Sequence, residues 1–138
     1  EYAAYTRQVV ANAAVLAGTL GEHGIRPTTG GTDTHLSLHD LQPVMVTGVD
    51  AEARCDAAGI TLNKNAIPFD PQSPNIASGI RVGTPALTTR GMGAREMTLV
   101  AALIGRVLDG PADEQVLARV RGEVRDLCAH FPMYEDRQ

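Results

Sequence analysis

The chain has 138 residues, 43% of them hydrophobic and 20% charged, a length that suits one domain burying roughly two-thirds of its unfolded surface. A net charge of −4 and a pI near 5.5 argue against nucleic acid or an anionic membrane surface as partner. No apolar run approaches the ~20 residues that a membrane-spanning helix needs.

In chain order, residues 2–20 place Val9, Ala13, Leu16 and Leu20 on one face at helical spacing. Gly21 and Gly24 then offer stops. Residues 25–29 and 34–41 read as two strands around the turn Gly30-Gly31-Thr32-Asp33. Residues 50–58 form a short helix closed by Gly59, and Ile60 to Leu62 read as a strand. Residues 63–77 hold Pro68, Pro71 and Pro74, with Asn63 and Asn65 ahead of them, and predict a rigid, irregular loop. Residues 79–83 are the next strand, followed by a Thr-Pro turn at Thr84-Pro85. Met97, Val100, Ala101, Ile104 and Leu108 form a helical stripe over 95–108. Val116, Leu117, Val120, Val124, Leu127 and Cys128 form another over 113–130. No internal repeat, low-complexity segment or linker interrupts this order. Strands interleaved with helices make the class α/β or α+β, a small sheet covered by helices. Cys55 and Cys128 each fall in an apolar helical pattern and read as small core hydrophobes in a reducing compartment.

The most informative run is Ser78-Gly79-Ile80-Arg81-Val82-Gly83, a single Arg between two glycines in a short apolar strand. A guanidinium is planar, always charged and bidentate, which suits it to gripping a carboxylate. The alternative is a surface Arg paired with a neighbouring acid. Gly79 and Gly83 leave room beside the strand for a ligand or another backbone. Asn65 offers two amide donors and one acceptor, enough to meet a heterocycle edge, though the residues alone favour a loop-capping Asn that bonds local backbone. Lys64 is the only lysine in the chain.

Several ordered motifs together resemble serine hydroxymethyltransferase. Thr29-Gly30-Gly31-Thr32-Asp33-Thr34-His35-Leu36 resembles the family's S-G-G-T-D-x-H-L. Gly59-Ile60-Thr61-Leu62-Asn63-Lys64-Asn65 resembles its G-I-x-x-N-K-N. Ser78 to Ala86 resembles its S-G-I-R-V-G-T-P-A, and Leu127 to Tyr134 resembles its C-terminal end. The resemblance implies the C-terminal small domain of a fold-type I pyridoxal-phosphate enzyme over residues 1–138, with a short, mostly antiparallel sheet covered by helices. It implies pyridoxal phosphate as cofactor, tetrahydrofolate as co-substrate, serine and glycine as substrates, a cytoplasmic location and a homodimeric full-length enzyme. Arg81 then matches the substrate-carboxylate clamp and Asn65 a residue of the folate pocket.

Pyridoxal-phosphate enzymes hold their cofactor through a lysine. The family's T-T-x-H-K-type lysine motif and glycine-rich phosphate cup have no counterpart here, so no catalytic residue is assigned and the chain is expected to be inactive alone. Asn75 stands where an aromatic residue is common and Met92 where Phe is common; Thr29 replaces a common Ser. These departures leave open a related aldolase or transaldolase acting on β-hydroxy amino acids without folate. A stand-alone, non-catalytic module is the third alternative.

No metal site is expected. His35 and His39 would lie ~13 Å apart on a strand at ~3.3 Å per residue, too far to share one metal through ~2.0–2.1 Å bonds. All four histidines read as surface or locally bonded residues. Asp33 reads as turn chemistry. Arg95 reads as a solvated or helix-start residue, and Arg90 stays a minor substrate-side candidate because it follows the Arg81 strand.

Overall fold

The computed structural model describes residues 2–28 and 35–131, apart from the side chain of Ala86. Helix α1, Tyr2–Glu22, buries the predicted face of Val9, Ala13, Leu16 and Leu20, together with Asn12 and Ala17. It runs through Gly21 and ends before Gly24, whose φ of 83° is the left-handed conformation that closes a helix. Strands β1, Arg26–Pro27, and β2, Leu36–Asp40, follow. The predicted Gly30–Asp33 turn and most of the Thr29–Leu36 motif lie outside the described residues, as does the Pro132–Tyr134 part of the final motif.

A 3-10 turn at Gln42–Val44 leads into α2, Gly48–Ala57, two residues earlier than the sequence pattern implies. Thr47 caps this helix: its Oγ1 accepts the Asp50 N–H at 3.3 Å. Strand β3 is Asn63–Asn65, which corrects the expected strand at Ile60–Leu62. Those apolar residues instead cross the core as irregular chain, with Leu62 buried and Ile60 packed against the same cluster. Strand β4, Gly79–Gly83, matches expectation. A short helix α3, Pro85–Thr89, stands where only a turn was expected. Pro fits a first helical position, where no N–H is needed. Helices α4, Ala94–Val107, and α5, Glu114–His130, complete the chain. Asp113 caps α5 by accepting the Gln115 N–H at 2.9 Å.

The four strands form one antiparallel sheet in the order β1-β2-β4-β3. On β4, Ile80 and Val82 are buried in the helix-covered core while Arg81 between them is exposed. That alternation gives the sheet an inner, apolar face and an outer, open one. Helix α1 is laced to α3 by polar contacts. Asn12 Nδ2 donates to Thr88 Oγ1 and to the Met92 carbonyl, both at 2.9 Å, and Thr84 Oγ1 donates to the Val9 carbonyl at 2.8 Å.

Both cysteines are free. Cys55 is fully buried, and desolvation pushes its thiol up to about 12 against the opposing pull of Arg54, so it is an inert core residue as expected.

Candidate substrate-binding face

The outer face of the sheet carries Asp40 of β2, Arg81 of β4, and Asn63 and Asn65 of β3. Arg81 lies directly opposite Leu38 on β2 and Asn63 on β3. Directly opposed residues of antiparallel strands share a face, and a residue two positions along lies ~7–8 Å away on the diagonal. Asn65, opposite Gly79, is therefore a diagonal neighbour of Arg81 on the same face. The juxtaposition is made by Asn63–Asn65 itself and not by the strand expected at Ile60–Leu62.

Arg81 is exposed. The ion pairs among the described residues join Arg26 to Asp40, Arg54 to Asp50, Lys64 to Glu52 and Arg106 to Glu123. None of them uses the Arg81 guanidinium, so the paired-surface-Arg alternative has no support among these residues. Asn65 is half-buried, and its Nδ2 donates to the neighbouring Ala66 carbonyl at 2.9 Å. Its amide thus already makes the local loop contact that sequence reasoning weighed against a ligand role.

Of the two uses expected of the glycines, room for a ligand or for another backbone, the structure shows the second. A Cβ at Gly79 would meet the His39 carbonyl and Ile67 Cγ2, each at 2.6 Å. One at Gly83 would meet Leu36 Cδ2 at 2.8 Å. Protein atoms fill both positions, so the glycines let neighbouring chain approach β4.

Lys64 turns to the opposite face from Arg81. Its Nζ lies 3.7 Å from Glu52 Oε1, and its backbone N–H donates to Glu52 Oε2 at 3.0 Å. Glu52 thereby ties the sheet's edge strand to α2. The residues present do not fit a pyridoxal-phosphate site, because the one lysine amine is engaged with a carboxylate on the inner side of an edge strand.

Arg90, the minor substrate-side candidate, makes a structural bond. Its Nη1 donates to the Phe131 carbonyl at 2.9 Å, closing the end of α5. Met92 also moves away from the site: it is buried in the core, 1% exposed, so its departure from the family's usual Phe is a matter of packing. Asn75 is exposed on the loop before β4.

His39 is fully buried, which corrects a surface reading for this residue and keeps the locally bonded one. Its Nδ1–H donates to the Ile25 carbonyl at 3.0 Å, since a carbonyl can only accept, and Nε2 accepts the Ser37 hydroxyl at 2.8 Å. Desolvation lowers its pKa, against the opposing pull of the Ile25 bond, and keeps the ring neutral. Among the described residues no group of three or more His, Cys, Asp or Glu side chains could hold a metal.

Asp70, which sequence reasoning passed over, is the best-connected side chain of the proline-rich loop. Its Oδ2 accepts the Ile67 and Ser78 N–H groups at 3.1 and 2.9 Å. Its Oδ1 accepts the Gln72 N–H at 2.8 Å and the Ser78 hydroxyl at 2.7 Å. The Asp-Pro dipeptide was the only sequence signal, and it announces a turn rather than a bond eight residues away.

A cavity of about 230 Å³ lies behind β4, lined by Leu16, Val82, Leu103, Ile104 and Leu127 among others. Among the described residues no charged one lines it. A carboxylate would find no counter-charge there, whereas the outer face offers Arg81.

The serine hydroxymethyltransferase family model matches residues 1–104. The chain belongs to the serine hydroxymethyltransferase family. It is 55% identical over 137 residues to a serine hydroxymethyltransferase of Myxococcus xanthus, covering 99% of this chain and 33% of that protein. It is 55% identical over 135 residues to one of Desulforapulum autotrophicum, covering 98% and 32%. A third, from Paramagnetospirillum magneticum, is 52% identical over 140 residues, covering 98% and 33%. The chain thus spans about a third of the length of the curated relatives it matches. Arg81 and Asn65 both lie inside the stretch that the serine hydroxymethyltransferase model matches.

Proposed function

We propose that this chain is the C-terminal small domain of a cytoplasmic, homodimeric serine hydroxymethyltransferase that interconverts serine and glycine, with tetrahydrofolate carrying the one-carbon unit. In this reading Arg81 holds the amino-acid carboxylate and Asn65 contributes to the folate pocket. The observation that carries it is the Arg81 guanidinium on the open sheet face, which has no ion-pair partner among the described residues, with Asn63 opposite and Asn65 on the diagonal. An exposed cation without an internal partner is available to an anionic ligand, and a guanidinium can fix a carboxylate through two parallel bonds. Holding the carboxylate also fixes the orientation of the bonds at the substrate Cα, which is a positioning contribution to catalysis.

Pyridoxal phosphate, when bound, supplies the electron sink for chemistry at that carbon. The rest of the polypeptide must hold it, because Lys64 is engaged with Glu52. A second reading, a folate-free aldolase or transaldolase of the same family, is favoured by one contact: the Asn65 amide donates to the Ala66 carbonyl.

The test is steady-state kinetics of the full-length enzyme. Arg81→Ala is expected to weaken serine binding by about 3 kcal/mol, within the range for losing one partner of a desolvated charge pair. Arg81→Lys is expected to recover little, since one ammonium does not reproduce a bidentate fork. A serine KM unchanged in Arg81→Ala removes the clamp from the proposal.

A further inference from the structure

We propose that Asp70 is a positioning residue: it staples the loop between β3 and β4 closed, and so sets Asn65 at one end of that loop against Arg81 at the other. The inference rests on the reading above for the roles of Asn65 and Arg81, and on the loop's own geometry for the staple.

Asp70 joins Ile67, two residues after Asn65, to Ser78, three residues before Arg81. Every acceptor bond named here comes from one carboxylate, and both of its oxygens are used twice. Ser78 is committed on all sides. Its N–H and hydroxyl donate to Asp70, while its carbonyl accepts the Leu41 N–H at 2.9 Å, beside the β2–β4 ladder. A shift of the Asp70 carboxylate therefore moves the start of β4 and the exit of β3 together.

Backbone strain sits beside both ends of the staple. Phe69, preceding Asp70, has φ 56°, and Ala77, preceding Ser78, has φ 62°. Such left-handed conformations are unfavourable for residues with a Cβ and persist where surrounding structure holds them. The Phe69 side chain is fully exposed and contributes no burial in return. The Asp70 bonds hold the Phe69 end of this loop, and at the Ala77 end they act beside the Ala77 N–H bond to the Ser73 carbonyl and the Gly48 N–H bond to the Ala77 carbonyl. Desolvation, which acts upward on the carboxyl, is outweighed by the Ser78 hydroxyl and the Gln72, Ile67 and Ser78 N–H groups, and the carboxyl is held down to about 2. It is an ionised acceptor throughout the neutral range.

The experiment compares Asp70→Asn and Ser78→Ala in the full-length enzyme, alone and combined with Arg81→Ala or Asn65→Ala. Asp70→Asn replaces one oxygen by an amide NH2 facing backbone donors. Its expected effect is a rise of roughly tenfold in KM for both serine and tetrahydrofolate, the equivalent of one charge-assisted bond, with kcat changed less. Ser78→Ala removes only the hydroxyl bond and should give the same pattern more weakly. If Asp70 acts through the two site residues, its effect on serine KM largely disappears in the Arg81→Ala background. Its effect on folate KM disappears likewise in the Asn65→Ala background. Fully additive losses overturn the inference.

Amide hydrogen exchange supplies a readout independent of activity. Asp70→Asn should speed exchange in residues 66–78 at least tenfold and leave α4 unchanged. Equal acceleration in α4 marks general destabilisation and also overturns the inference. If Arg81→Ala and Asn65→Ala behave as proposed while Asp70→Asn leaves both KM values within twofold, the staple fails and the functional reading survives. If the single site variants have no effect on KM while loop exchange still rises, the functional reading fails and Asp70 is a structural clasp alone.

Discussion

The first residue of α2, Gly48, sits against the carbonyl of Gly79, the first residue of β4: a Cβ at Gly48 would lie 2.6 Å from that oxygen. The Ile76 carbonyl and Lys64 Cβ would each be 3.1 Å away. The Gly48 N–H donates to the Ala77 carbonyl and the Val49 N–H to the Ile76 carbonyl, both at 2.9 Å. Two of the free N–H groups that every helix start leaves over are thus spent on the chain leading into the Arg81 strand.

Gly48→Ala should therefore destabilise the chain by about 1–3 kcal/mol, because the obstacles are backbone atoms that cannot swing aside. Gly122→Ala is the contrast. Gly122 lies inside α5 with nothing within 4 Å of its would-be Cβ, so it should gain up to about 1 kcal/mol from helix propensity. Urea titration of the two variants checks this as midpoint shifts of opposite sign with unchanged slope.

Lys64 should not form a stable covalent adduct with pyridoxal phosphate in the 138-residue chain. Its amine faces Glu52 at 3.7 Å, and no second lysine exists. Borohydride reduction after cofactor addition, followed by peptide mass analysis, is the measurement. A stoichiometric adduct at Lys64 that supports turnover would contradict the expectation.

Asn65→Ala separates the two functional readings. In the full-length enzyme it should lower the tetrahydrofolate-dependent reaction and leave folate-independent cleavage of a β-hydroxy amino acid much closer to wild type, since Arg81 is untouched. Assaying both reactions on one preparation decides the matter. Equal losses would assign Asn65 to loop structure, as its bond to the Ala66 carbonyl allows.

His39 should make stability fall in mild acid. Burial lowers its pKa in the folded chain, whereas the unfolded chain takes up this proton near ~6.5. Between those two values the unfolded state binds more protons, so stability decreases as pH falls through ~6.5 and levels off only below the folded value. Asp70 acts in a separate, lower window: its contribution is complete above ~4 and is lost as pH falls toward its folded value of about 2. Denaturation midpoints measured from pH 7 to pH 5 should fall in the wild type and flatten in His39→Gln.

The long helices were legible because their apolar stripes are regular: Val9, Ala13, Leu16 and Leu20 all turn inward. Strand β4 was legible from its alternation of glycine, apolar residue and Arg. Strand β3 was not, because Asn-Lys-Asn has no apolar partner to alternate with. It is held by the ladder on one side and by Glu52 on the other. Ile60 and Leu62 invited a strand assignment because they are apolar, yet they cover the core as irregular chain. The exposure of Arg81 was legible from its place between the apolar Ile80 and Val82, and its flanking glycines show one of the two uses their pattern allowed, since the close approach comes from protein atoms. Asp70 stayed hidden because its partner Ser78 is separated from it by the very loop it closes.

The strand order β1-β2-β4-β3 also dictates a schedule for synthesis. Leu38 pairs with Arg81, roughly forty positions later, so β2 leaves the ribosome long before its central partner exists. During that interval the edge of β2 that awaits β4 is a template for the wrong neighbour, as any open strand edge is. Strand β3 has the opposite fate: it waits only for the loop that Asp70 closes. The β1–β2 pair can form first, the β3–β4 pair follows as a second unit, and pairing of β2 with β4 then joins the two. Mutations that loosen the loop would be felt as lower yield in the cell before they are felt as a lower melting point.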